Sequence, residues 1–239
     1  MPDKLKEMQA LFTKEAVKYN VLPLDDRMLE RLNAEAVGRP DIMAGRTSLT
    51  LHEGMTGMSE NVFINIKNHS FSITADTIIP DGGADGVLLA QAGRFGGWSF
   101  YLKHGKPTFT YNWLGQKQYT ITTPKPVPPG PATIRFDFAY DGGGAGLGGT
   151  GTISVITADT EQFAKGRIDR TQGFCFSADE GADVGCDLGT AVTENYQVPF
   201  KFTGTILGIT VEVKPASSID KAESDKAKQE GSIKKALSG

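Results

Sequence analysis

From about residue 59 to 213 the chain alternates between apolar and polar side chains, and this pattern constrains its fold more than any other feature. Phe71, Ile73, Ala75 and Thr77 alternate with Ser72, Thr74 and Asp76, and Trp98, Phe100 and Leu102 with Ser99, Tyr101 and Lys103. Ile134, Phe136, Phe138 and Tyr140 alternate with Arg135, Asp137 and Ala139 in the same way. Successive side chains of a strand leave on opposite faces. A period of two with one apolar face therefore predicts antiparallel sheet packed on one side. Turn-forming clusters separate the runs: Pro80-Asp81-Gly82-Gly83, His104-Gly105-Lys106-Pro107 and the stretch from Pro124 to Pro131. In the last run the apolar phase slips between Phe202–Ile206 and Ile209–Val213, which predicts a bulge near Leu207-Gly208. Many short strands without an intervening helical pattern point to a mainly β, antiparallel jelly-roll sandwich.

The flanks have a different texture. Within residues 1–58, Leu5, Met8, Phe12, Ala16 and Tyr19 recur at spacings of three and four, the stripe of an amphipathic helix. Pro23 interrupts it. Asp25 then offers an N-cap for a second short helix through Met28, Leu29 and Leu32, which Gly38 and Pro40 end. A strand-like stretch from Thr47 to His52 follows. Residues 214–239 are rich in Lys, Glu, Asp, Ala and Ser and read as a solvated helix or a charged tail.

Composition narrows the function classes. A folded region of roughly 150 residues buries about 70% of the surface its unfolded chain exposes, enough for a core without metal or disulfide staples. A net charge of −3 gives no electrostatic reason to expect nucleic acid or an anionic membrane as partner. No apolar run approaches the ~18 residues that span a bilayer, and the N-terminus lacks the apolar stretch of a secretory signal. Cys175 and Cys186 belong to no CxxC or Cys/His ligand pattern, so two free thiols are expected, with a disulfide the alternative in an oxidising compartment.

Several motifs invite chemistry and have a plainer reading. Residues 141–151 contain G-x-G-x-x-G at Gly144, Gly146 and Gly149. A dinucleotide site needs that turn to open a helix, whereas strand-forming residues follow here, so a hairpin loop is expected. Asp179, Glu180, Asp183 and Asp187 place hard oxygen ligands on a glycine-containing loop. Asp179, Asp183 and Asp187 are candidate Ca²⁺ ligands, although the spacing matches no EF-hand and a turn-capping acidic loop is favoured. His52, His69 and His104 are scattered and carry no HExxH, GxSxG or Cys/His signature around them. Trp98, Tyr101 and Trp113, with Tyr111, lie on adjacent predicted strands and are candidates for stacking on a sugar ring. By alternation Trp98, Tyr111 and Trp113 fall on the apolar face, which favours core packing. Asn68-His69-Ser70 matches an N-glycosylation acceptor, a tripeptide common by chance.

Four segments resemble one family. Lys4 to Arg27 (KLKEMQALFTKEAVKYNVLPLDDR) resembles the segment that follows the catalytic core in large bacterial arylsulfatases. Asn68 to Pro80 (NHSFSITADTIIP) and Gly96 to Gly115 (GGWSFYLKHGKPTFTYNWLG) resemble later parts of the same proteins, and Asp183 to Ile206 (DVGCDLGTAVTENYQVPFKFTGTI) their end. The resemblance implies an α/β catalytic domain N-terminal to all of this, with a formylglycine nucleophile made from a C/S-x-P-x-R motif and a calcium ion. It also implies a parent that is often periplasmic or secreted. Cys175 is followed by Phe-Ser-Ala-Asp and Cys186 by Asp-Leu-Gly-Thr, so neither matches that motif and no catalytic, cofactor or metal residue carries over. Where the family leads one to expect a short turn, Ile156 to Ile168 (ITADTEQFAKGRI) departs, and a longer or irregular hairpin is expected.

The expectation is therefore an accessory C-terminal region of an arylsulfatase, non-catalytic on its own, with a concanavalin- or laminin-G-like sandwich over 59–213. Residues 1–58 would meet the sulfatase catalytic domain or a second copy of the chain. The alternative is an autonomous module that binds carbohydrate or another ligand.

Overall fold

A computed structural model describes residues 2–22, 24, 40 and 42–214, which fall into two compact units, one up to residue 41 and one from Ile42 onward. The first contains helix α1 (Pro2–Lys18). Asp3 in its first turn and Lys18 in its last complement the helix dipole, and Lys4–Glu7 (3.0 Å) and Lys18–Glu15 (3.7 Å) add ion pairs one turn apart. Asn20, in the left-handed region at φ 55°, closes the helix. The Val21 amide donates to the Ala16 carbonyl (2.8 Å) and the Asn20 amide to that of Val17 (3.3 Å), the paired bonds of a Schellman cap. Leu5, Met8, Phe12 and Tyr19 of the predicted stripe are all exposed. The second helix expected through Met28 and Leu32 and the charged tail of 215–239 lie outside the described residues.

The second unit is an antiparallel jelly-roll sandwich of two sheets. Its strands are β1 (Ser48–Leu51), β2 (Phe71–Ile79), β3 (Gly86–Gly93), β4 (Gly96–Lys103), β5 (Lys106–Trp113) and β6 (Lys117–Thr122). β7 (Gly130–Tyr140), β8 (Leu147–Ile156), β9 (Glu161–Arg170), β10 (Ala182–Val184) and β11 (Thr205–Val213) follow. One sheet runs β1-β11-β2-β7-β8-β9 and the other β10-β3-β4-β5-β6. The alternating apolar positions meet between them. Phe109 of one sheet stacks on Phe136 of the other with ring centroids 3.6 Å apart, and Trp98, Phe100, Ile73, Ile134 and Val211 close round them without exposure. The predicted phase slip is present as a register shift between Ile206 and Gly208 where β11 pairs with β2.

β1 is the strand expected between Thr47 and His52. It falls within the segment 1–58, yet it pairs with β11 from Ser48↔Glu212 to Leu51↔Ile209, and Leu51 is fully buried. The sandwich therefore begins upstream of residue 59. The β8–β9 hairpin, expected to be longer or irregular, keeps a regular register to Ile156↔Glu161 around a turn closed by the Thr157 amide donating to the Thr160 carbonyl (2.9 Å). The glycine-rich run divides between the β7–β8 turn and β8 itself. A Cβ on Gly148 would stand 2.4 Å from the Ile168 carbonyl oxygen and 2.5 Å from that of Asp169, so this glycine is required by the close approach of the neighbouring strand's backbone.

Candidate binding cleft

The fold separates the aromatic candidates. Trp98 is wholly buried, its ring stacked with Phe109 at 5.9 Å, and its Nε1 donates to Gln91 Oε1 at 3.1 Å. Trp113 is half-buried at the end of β5 with the Arg170 guanidinium 5.2 Å above its ring. Tyr101 points to the other face of its sheet, as the alternation requires, yet it too is buried at 1% exposure. The reason is a segment that alternation does not describe. Residues 185–204 join β10 to β11 without a strand of their own and lie against the outer face of the five-stranded sheet. There Tyr101, Val87, Ala90 and Tyr196 form a second apolar cluster, with Phe200 stacked on Tyr196 at 4.9 Å. Trp98 and Tyr101 are thus structural and present no ring to solvent, and Trp113 lies half-buried under Arg170.

Three of the four acidic residues, Glu180, Asp183 and Asp187, have structural partners as well. Asp179 is exposed. Glu180 accepts from the Thr190 amide (2.7 Å) and hydroxyl (3.1 Å). Asp183 accepts from the amides of Gly57 (2.7 Å) and Leu188 (2.9 Å). Asp187, fully buried, accepts from the Tyr196 hydroxyl at 2.6 Å and the Val192 amide at 3.2 Å through one oxygen, Oδ2. Burial pushes the Asp187 carboxyl up to about 6, and its hydrogen bonds from Tyr196 and Val192 pull against that rise. Among the described residues no three His, Cys, Asp or Glu side chains converge as a metal-binding set. Together these carboxylates fasten the β10–β11 connection to the sandwich.

That fastening creates a cleft. Between the connection, the β3–β4 turn and the start of β6 lies an open space of about 520 Å³, within the range of small-molecule sites. Arg94, Asn112, Gln118, Val192, Tyr196 and Gln197 are prominent in its walls. Asn112 is the structural keystone. Its buried Nδ2 donates to the carbonyls of Arg94 and Val192, both at 2.9 Å, and its Oδ1 accepts from the Gly115 amide at 2.9 Å. One side chain so ties together three wall segments. Gln118, exposed in the wall, accepts from the Thr193 hydroxyl at 2.9 Å through Oε1. Arg94 is held loosely: its guanidinium is 4.0 Å from Glu194 and both side chains are well exposed. The cleft therefore offers a cation, carboxamides and a carboxylate beside an apolar floor of the partly exposed Ala191 and Val198.

The remaining candidates lie elsewhere. Asn68 is half-buried, donates to the Gly173 carbonyl (2.9 Å) and accepts from the Gly146 amide (2.8 Å), so its side chain holds two loops together. His52 and His104 are exposed on separate elements. Cys175 and Cys186 are free thiols, and burial raises both above the usual thiol range. Among the described residues no helix is long and apolar enough to cross a membrane. Arg94, Asn112, Gln118, Tyr196 and Gln197 escaped the sequence reading. The available signal was length: a connection this long without its own secondary structure is uncommon and usually has a purpose.

The fold and cleft together define a two-sheet jelly-roll sandwich with a lateral, polar-walled groove. No known family model matches the chain, and no curated protein does. Solved structures of similar architecture include the CBM40 of Ruminococcus gnavus IT-sialidase bound to α2,3-sialyllactose, at 11% identity and TM-score 0.45, covering 75% of this chain and 97% of that one. Mouse laminin α1 domains LG4-5 align at 11% identity and TM-score 0.41, over 71% of this chain and 39% of that one. The leech intramolecular trans-sialidase aligns at 14% identity and TM-score 0.41, over 74% and 27%. At these identities the likeness is one of architecture.

Proposed function

We propose that this chain is a non-catalytic binding module and that its cleft takes a carbohydrate. The cleft itself carries the reading. It is sized for a small ligand, and it pairs carboxamide and guanidinium groups with an apolar floor, the mixture that suits a sugar's hydroxyl rim and its carbon face. The polar groups are positioned by a buried hydrogen-bond frame centred on Asn112, so little is lost in ordering them on binding. A glycan panel that includes α2,3- and α2,6-sialyllactose, followed by calorimetric titration, tests this. Binding is expected to fall at least tenfold in both Arg94→Ala and Gln118→Ala with the melting temperature unchanged. Absence of binding to any glycan in the panel, or binding indifferent to both substitutions, overturns the reading.

A second reading is favoured by a different observation. The exposed apolar stripe of α1 (Leu5, Met8, Phe12, Tyr19) suits a segment that docks on another protein surface, as an accessory region of an arylsulfatase would on its catalytic domain.

A further inference from the structure

The cleft wall is anchored on a buried carboxylate that has an acceptor to spare. Asp187 Oδ2 receives both the Tyr196 hydroxyl and the Val192 amide, while Oδ1 has no hydrogen-bond partner among the described residues. Tyr196 and Val192 are themselves cleft residues, and the Val192 carbonyl is one of the two that Asn112 holds. Any loosening at Asp187 is therefore transmitted to the binding surface. We propose that Asp187 is a positioning residue whose protonation state sets the cleft wall, so that the wall is closed and binding-competent when Asp187 carries a proton and loosens when it ionises. This rests on the cleft being the binding site.

The chemistry gives the direction. A proton on Oδ1 leaves Oδ2 free to accept both existing hydrogen bonds and removes the buried charge, at the smaller cost of one buried hydroxyl without an acceptor. The ionised form leaves Oδ1 as a bare, desolvated charge-bearing oxygen, and conformations that let water reach it are favoured. The surroundings do not relieve this. Asp183 and Glu180 act on Asp187 with the same sign of charge, Tyr196 contributes a neutral hydroxyl with Tyr101 beside it, and Lys201 acts on the neighbouring Cys186 thiol. The carboxyl is accordingly raised from 3.8 to about 6 in the closed wall. In an open, hydrated wall it returns toward the ordinary value. Opening then becomes easier as pH rises from about 4 to about 6 and changes no further above that, by a factor on the order of 100 over the window.

Hydrogen exchange of the Val192 amide, corrected for its intrinsic pH dependence, reads the wall directly, and the Asp187 ¹³Cγ shift reads the proton. In the full chain, Val192 protection is expected to fall on the order of 100-fold between pH 4 and 6.5 and then level off, with a ¹³Cγ midpoint near 6. Asp187→Asn, which cannot ionise, should keep its protection across the range. A ¹³Cγ midpoint below about 4.5, close to the ordinary carboxylate value, or an equal fall in Asp187→Asn, overturns the proposal. If Asp187→Asn does not fold, Tyr196→Phe serves instead: losing a donor to the charged form should move the midpoint upward, and an unmoved midpoint is fatal. Any glycan found by the panel should bind more tightly at pH 5 than at pH 7.5, and equal affinity at the two counts against the proposal while leaving the cleft as the binding site. Titration of Val192 in a chain that binds no glycan counts the other way: the carbohydrate reading fails, and the control of the wall by Asp187 stands.

Discussion

Single residues in this molecule are fixed by which face of a sheet they leave from and by what lies over that face. Trp98 leaves inward from β4 and meets Phe63 at 6.1 Å and Phe109 at 5.9 Å, with its indole N–H satisfied by Gln91. Trp98→Ala is expected to cost roughly 3–5 kcal/mol, the range for emptying a buried aromatic site. Trp113, half-buried beneath Arg170 at the margin of the core, should lose less on the same truncation, roughly 1–2 kcal/mol, since only part of its ring packs on the core. Denaturant unfolding of both variants checks the contrast. A Trp98→Ala chain as stable as the parent would mean that the indole is not part of the core. Alternation alone places Trp98 correctly. It assigns Tyr101 the correct face and the wrong environment, because periodicity reports the direction of a side chain and is blind to a distant segment that folds over it.

At the scale of elements, the strands were legible and their covering was not. Runs such as Phe71–Ile79 and Ile134–Tyr140 announce themselves because one face must be apolar along its whole length, and even the bulge at Leu207 shows as a slip of phase. The β10–β11 connection has no such period. Its contacts are made by single side chains reaching back across long separations, Asn112 to Val192 and Asp187 to Tyr196 among them, and no local pattern encodes those pairings. Asn112 accordingly offers a sharp test of the frame. Asn112→Ala removes the donor to two carbonyls and the acceptor for the Gly115 amide, leaving buried groups without partners. A loss of about 2–4 kcal/mol is expected, with weakened glycan binding at temperatures where the variant remains folded. A variant that loses stability and keeps full affinity would separate the frame from the cleft.

For the molecule as a whole, the issue is where the self-sufficient fold begins. The principal core runs from Leu51 to Val211, within the unit that begins at Ile42. β1 completes that core, since Leu51 is wholly buried and its strand covers the free edge of β11. A chain starting at Ile42 should therefore unfold cooperatively with a midpoint within a few degrees of the full chain. One starting at Ser59 should lose several degrees more, because it exposes the β11 edge and the cavity left by Leu51. The helix needs a different explanation. Leu5, Met8, Phe12 and Tyr19 are each more than half exposed, and a stripe of that kind is costly in water unless another surface covers it. Light scattering of the full chain against the chain from Ile42 distinguishes the occupants. Concentration-dependent association of the full chain alone identifies a second copy as the partner. A monomer that binds a separately expressed sulfatase catalytic domain, with affinity lost in Leu5→Glu and Phe12→Glu, supports the accessory reading. A full chain that does neither shows that α1 has no protein partner of either kind, and leaves the cleft as the functional surface of this molecule.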